Sequence, residues 1–193
     1  TIPDAVIIRG SRTLVNNEHA GMDFTFNHSL NIENAAQMSL NGAVTVFGPV
    51  IVNGATFTGT RIVAADLSLI NSSLLTTFGA TTTQVYKLDL DVSGTVLVDS
   101  TSRIDVSGKG YLPVRTTGNV DRNTSGGGSF GGLGGSHSIL GGSSPGNAVY
   151  GNYAVPDDWG SGGSSGANGS NARGGGLVWI QAGTLSLDGQ LLA

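Results

Sequence analysis

Apolar and polar residues alternate along this chain in short runs, and most runs close on Asn, Asp or Ser followed by Gly. The run reads Met38-Ser39-Leu40-Asn41-Gly42, then Val50-Ile51-Val52-Asn53-Gly54. It returns as Leu90-Asp91-Val92-Ser93-Gly94, Ile104-Asp105-Val106-Ser107-Gly108 and Leu185-Ser186-Leu187-Asp188-Gly189, with a copy lacking glycine at Leu67-Ser68-Leu69-Ile70-Asn71. Strict alternation puts successive side chains on opposite faces of a strand, and an Asn/Asp-Gly type pair tolerates positive φ. Each copy therefore predicts a short strand closed by a turn. A strand this short cannot bury its apolar face alone, so many must stack, which is how solenoids are built. Leu40, Val52, Leu69, Val92, Val106 and Leu187 are the expected inward residues.

Further strand-like runs are Phe24-Thr25-Phe26, Leu30-Asn31-Ile32, Val44-Thr45-Val46, Arg61-Ile62-Val63 and Val96-Leu97-Val98. The glycines at 42 and 54 stand 12 apart and those at 94 and 108 stand 14 apart, which leaves no room for crossover helices. No stretch has convincing helical periodicity. Ile32 to Leu40 comes nearest, but its Asn-rich flanks favour a turn between two strands. Four regions follow: residues 1–20, an initial strand (Ala5-Val6-Ile7-Ile8) and a polar loop; 21–112, the solenoid; 113–176, a glycine-rich insertion; and 177–193, a resumed solenoid coil. The abrupt start and stop read as a piece of a longer chain.

The insertion changes the picture most. Between Gly126 and Gly176, 19 of 51 residues are glycine. Phe130, Leu133, Ile139, Leu140, Val149, Tyr150, Tyr153, Val155 and Trp159 punctuate it, so an ordered lobe is preferred over a floppy linker. Glycine stretches can pack as extended strands because a hydrogen in place of a side chain permits close backbone approach.

Composition narrows the function classes. The chain has 193 residues, enough for one sizeable core, and only 11% are charged. That low charge, with abundant Val, Ile and Thr, argues against disorder. The net charge of −4 and the lack of any Lys/Arg patch argue against a nucleic-acid partner. No apolar run is long enough for a membrane span. There is no cysteine, a composition shared by bacterial surface proteins and cytosolic ones alike, so it points to neither redox compartment.

From Ile104-Asp105-Val106-Ser107-Gly108-Lys109-Gly110-Tyr111 onward the chain resembles a pattern of large bacterial surface and secreted proteins. There a strand ending in Gly-x-Gly-Tyr/Phe leads into a glycine tract, which closes on Gly-Gly-Gly, a strand and Leu-x-Leu-Asp-Gly. The matching elements are Gly131 to His137, Tyr150-Gly151, Pro156, Gly160 to Gly163 and Gly174 to Gly189. The resemblance covers about 85 residues. It implies an exported, adhesin-like parallel β-helix located extracellularly or at the cell surface, and it brings no catalytic residues.

The candidate chemistry is sparse. His137, in Gly-Gly-Ser-His, has small neighbours that would expose it to a ligand, though a side chain bonded to loop backbone groups is the preferred explanation. Asp157 and Asp158 beside Trp159 form the best acid-plus-aromatic cluster, yet neighbours on an extended chain point apart, and a solvated turn after Pro156 is the plainer explanation. Tyr150, Tyr153 and Trp159 lie where large side chains are few, as contacts or as anchors. Asp89, Asp91, Asp99, Asp105 and Asp188 alternate with apolar residues, with Lys87, Arg103 and Lys109 the nearby bases; an outward solvated face accounts for them. There is no metal-ligand spacing, nucleotide loop or nucleophile elbow.

The expected fold is all-β, a right-handed parallel β-helix with a glycine-rich insertion. The expected role is structural or adhesive and not enzymatic, with no cofactor, no metal and a glycan or cell-surface partner. The ligand-binding candidates are His137, Tyr150, Tyr153, Asp157, Asp158 and Trp159, and no residue is assigned as catalytic. A polysaccharide lyase or hydrolase, or a viral tail adhesin, are the alternatives. Nothing in the sequence sets an oligomeric state.

Overall fold

The structure, a computed structural model, describes residues 1–17, 19, 21–121, 126–139, 142–152, 154–163 and 172–193, with residues 121, 137–139 and 142–144 described in backbone only. The strands are β1 (Val6–Arg9), β2 (Leu14–Asn17), β3 (Phe24–Phe26), β4 (Leu30–Glu33), β5 (Gln37–Val46), β6 (Val50–Asn53), β7 (Thr56–Ala64), β8 (Leu67–Ile70) and β9 (Leu74–Thr76). They continue as β10 (Lys87–Val98), β11 (Arg103–Asp105), β12 (Arg115–Thr116), β13 (Val120–Asp121), β14 (His137–Ile139), β15 (Gly142–Ser144), β16 (Leu177–Leu187) and β17 (Gln190–Leu192). Among the described residues the only helical element is a 3-10 turn, Thr117–Asn119, and no helix is long and apolar enough to cross a membrane. The chain is thus all-β. It divides into two compact units: Thr1–Phe78, Lys87–Asp105 and Val178–Leu192 form the first, and Gly79–Tyr86, Val106–Leu177 and Ala193 the second.

The first unit carries a 13-stranded, largely parallel sheet. Its core consists of columns in which one apolar side chain lies over the next. One column runs Ile8, Ile32, Val52, Leu69, Val98. A second runs Met38, Phe57, Leu75, Ile104 and ends on the exposed Leu191. A third runs Phe26, Val46, Ala64, Val92. The chain visits the columns in constant order, through β4 and the two halves of β5, then β6 and the two halves of β7. Alternation explains the fit: β6 and β8 each show a buried residue at every second position. Ile32, Val52, Phe57, Leu69, Val98 and Ile104 are fully buried. Each such side chain contributes about 1.5–3 kcal/mol over an exposed one. A turn at Asn34 and Ala35, both with positive φ, separates β4 from β5 where the Asn-rich flanks predicted it.

Three expectations need correction. Leu40, Val52, Leu69, Val92 and Val106 are buried, but Leu187 is 41% exposed. Its strand, β16, has β10 on one side and no other described partner, so its inward side chains meet neighbours on one side only. The polar stretch after Arg9, expected as loop, contains β2, which pairs with β5. The Asn-Gly and Ser-Gly pairs do not all close turns. Gly54 does, at φ 58, whereas Asn41-Gly42 and Ser93-Gly94 lie inside the long strands β5 and β10. At Gly94 a Cβ would collide with the Asp66 carboxylate, whose Oδ1 accepts the Thr95 N–H at 2.8 Å. Here glycine serves close approach and not left-handed backbone.

The second unit is built differently. It has two short antiparallel pairs, β12 with β13 and β14 with β15, and is otherwise irregular. Its glycine segments are joined backbone to backbone. The Gly110 N–H donates to the Gly174 carbonyl at 2.9 Å, Gly174 N–H to Tyr111 at 2.9 Å, Tyr111 N–H to Gly160 at 3.1 Å, and Gly160 N–H to Gly175 at 3.0 Å. A Cβ on Gly174 would collide with the Gly160 carbonyl. The described part of the tract is therefore packed chain.

Candidate functional site

The second unit contains a cleft of about 540 Å³ among Thr83, Val85, Tyr111, Thr117, Gly118, Asn119, Asp157, Asp158 and Trp159. One wall is the turn between β12 and β13. Gly118 and Asn119 both take positive φ, 71° and 57°, conformations that Gly and Asn tolerate best. The Asn119 Nδ2 donates to the Thr81 carbonyl at 3.1 Å, which fixes the amide's orientation and leaves Oδ1 buried with no hydrogen-bond partner. Behind this wall the Arg115 guanidinium donates to the carbonyls of Thr82 and Asn119.

The opposite wall is organised by Asp158. Its Oδ1 accepts the Tyr111 hydroxyl at 2.8 Å and the Trp159 N–H at 2.8 Å, and its Oδ2 accepts the Thr117 hydroxyl at 2.8 Å. Burial pushes the Tyr111 phenol well above its ordinary value, and the adjacent Asp158 carboxylate pushes it further, so Tyr111 remains a donor at all ordinary pH. The Trp159 ring meets Tyr111 edge-on at 6.2 Å, its Nε1 donates to the Tyr86 carbonyl at 2.7 Å, and its carbonyl accepts the Tyr150 hydroxyl at 2.7 Å. Asp157 is exposed and makes no hydrogen bond or ion pair among the described residues.

Of the six candidates, Asp157, Asp158 and Trp159 line this cleft. The two aspartates differ: Asp158 is engaged on both oxygens, and Asp157 faces solvent with its lone pairs free. Tyr150 is not a lining residue. It stands edge-on to Phe130 at 5.3 Å and to Tyr111 at 6.3 Å, and supports Trp159 from within the unit. The His137 side chain and all of Tyr153 lie outside the described residues. Tyr111 and Asn119 escaped the sequence reading. Their signals were the Gly-Lys-Gly-Tyr phrase, read only as a turn, and the Gly118-Asn119 pair.

The aspartates of the strands are distributed in the first unit. Arg61 reaches Asp89 at 3.0 Å and Asp91 at 3.4 Å, and Lys87 reaches Asp89 at 3.3 Å. Arg103 stands 3.6 Å from Asp105. Asp99 caps a turn. Slight burial raises its carboxyl, but the Asn71 N–H, Ser102 and both donors of Thr101 outweigh it and hold the pKa at about 2. Arg61 was not anticipated, because nothing in sequence places it one strand away from Asp89. Among the described residues no group of three His, Cys, Asp or Glu is arranged to hold a metal ion. No family model, curated protein or solved structure matches the chain.

Proposed function

We propose that the chain is part of a right-handed parallel β-helix carrying a glycine-rich insertion, and that it serves as a structural or adhesive segment of a bacterial cell-surface or secreted protein. Parallel pairing in repeated register supports the helix: Ile32, Val52 and Leu69 occupy equivalent positions in β4, β6 and β8. Stacked coils of this kind make a stiff rod from few charges, which suits an extracellular stalk. The partner is a glycan or another surface component met at the cleft of the second unit. The observation that carries this reading is the pairing of the half-buried Trp159 ring with the free Asp157 carboxylate in one open hollow. A ring face stacks on the C–H face of a sugar, and a carboxylate accepts from its hydroxyls. A viral tail adhesin would use the same contacts on a different particle.

The polysaccharide-cleaving alternative draws on Asp89, Asp91, Arg61 and Lys87, but there Asp89 is occupied by two cations and Asp91 by one. A glycan array probed with the intact chain tests the proposal. Binding that falls in Asp157→Asn with an unchanged melting temperature is expected. Failure to retain any glycan would overturn it. Release of new reducing ends from a polysaccharide, lost in Asp89→Asn or in Asp157→Asn/Asp158→Asn, would install the enzyme reading instead.

A further inference from the structure

The chain has two tryptophans, and their surroundings differ. Trp159 is held by its indole N–H and its ring contacts. Trp179, on β16 in the first unit, is 46% exposed and its indole makes no hydrogen bond among the described residues. The Lys87 ammonium sits 6.0 Å from its ring centroid. Lys87 in turn belongs to the cluster with Asp89, Arg61 and Asp91 on the outward face of β7 and β10. That cluster holds two cations and two carboxylates, and so is neutral as a whole. Asp91 also borders a shallow hollow of about 200 Å³, floored by Val63 and Ala65 and flanked by Phe47, which is 68% exposed. The register aligns these groups: Ala43, Arg61 and Asp89 form one row, and Thr45, Val63 and Asp91 the next. Two exposed aromatic rings thus flank a neutral, hydrogen-bonding centre on β7 and β10: Trp179 on the neighbouring strand β16, and Phe47 one position past the Val46–Ala64 pair at the end of β5.

We propose that this face is a second binding site, independent of the cleft, for an extended neutral hexose glycan lying across the strands. Trp179 and Phe47 supply ring faces for the sugars, and Arg61, Asp89 and Asp91 offer donors and acceptors to their hydroxyls. The charge balance sets the ligand class. An acidic glycan would bring its carboxylates against Asp89 and Asp91, and a polycation would be repelled by Arg61 and Lys87. A neutral polyol takes the spare lone pairs and N–H groups without breaking the pairs. An exposed tryptophan beside such a centre has an apolar surface that a sugar covers better than water does.

The test uses the intact chain and soluble cello-, manno- and chito-oligosaccharides, with oligogalacturonate as the acidic comparison, followed by calorimetric titration. Saturable binding of a neutral oligomer is expected, weakened about tenfold or more by Trp179→Ala and by Arg61→Gln with no change in melting temperature. Trp159→Phe leaves Trp179 as the sole tryptophan, and its fluorescence should then respond to the same sugar. Unchanged affinity in Trp179→Ala, tighter binding of oligogalacturonate, or no binding of any neutral oligomer would each overturn the proposal. Loss of binding in Asp157→Asn but not in Trp179→Ala would assign the sugar to the cleft alone, against it.

Discussion

The column Ile32, Val52, Leu69 and the crossing of Gly110, Gly160 and Gly174 hold their units by opposite means. In the stacked strands of the first unit, alternate positions bring apolar side chains to lie on their neighbours one strand away, and stabilisation comes from apolar area removed from water. In the second unit the side chains have been stripped away so that carbonyls and N–H groups of irregular segments can bond directly. The glycine chain loses more conformational entropy on ordering than any other, and Phe130, Tyr150, Tyr111 and Trp159 form the aromatic cluster that offsets it. The consequence for function is a division of surfaces. The sheet presents a regular outward face, with rows of residues at fixed spacing, and the glycine-rich unit presents a cleft whose walls are turns.

The contrast is broken most directly in the core of the sheet. Val92→Asp should cost roughly 3 kcal/mol or more by burying an unpaired charge, read as a lowered urea midpoint. A variant that melts like wild type would mean that the register is slipped by one residue, exchanging the faces. In the second unit the comparable injury is the smallest one chemically available. Gly174→Ala should cost about 1–3 kcal/mol, because the added methyl meets backbone that cannot yield, whereas Gly132→Ala, with open space around it, should cost almost nothing. Equal melting of the two glycine variants would refute the packed-backbone account.

The tryptophans sharpen the same comparison. Trp159→Ala should destabilise by about 2 kcal/mol through lost ring contacts and the lost indole hydrogen bond to the Tyr86 carbonyl, and Trp179→Ala by much less, as judged by thermal melts of the two side by side. A smaller effect belongs to Asp99. Its folded pKa of about 2 lies below the ordinary 3.8, so its contribution is complete above about pH 4 and fades as pH falls toward 2. Asp99→Asn should flatten that part of the stability profile, and an unaltered acid limb would remove Asp99 from the account.

Much of the first unit was legible because period-2 alternation is a local signal. Leu67-Ser68-Leu69 and Leu90-Asp91-Val92 announce both the strand and its buried face. What the alternation could not convey was what the closing glycine does. Gly54 and Gly94 follow the same kind of phrase, yet one turns the chain and the other makes room for Asp66 in the turn between β7 and β8, a tertiary fact. The site was legible only at its aromatic and acidic members. Asp157, Asp158 and Trp159 are contiguous and conspicuous, while Tyr111 and Asn119 reach the cleft from 47 and 38 residues away, as their bonds to Asp158 and Thr81 show. Arg61 and Trp179 were missed for the same reason, since register between strands decides their neighbours.

Amide hydrogen exchange, resolved by mass spectrometry across the intact chain, tests directly whether the glycine-rich unit is packed structure. The N–H groups of Gly110, Tyr111, Gly160 and Gly174 are each bonded to backbone carbonyls within that unit. They should be protected by several orders of magnitude over an open chain, approaching the amides of Ile62 and Leu69 in the sheet. Exchange of those four amides at the rate of an unstructured peptide, with the sheet still protected, would contradict the account.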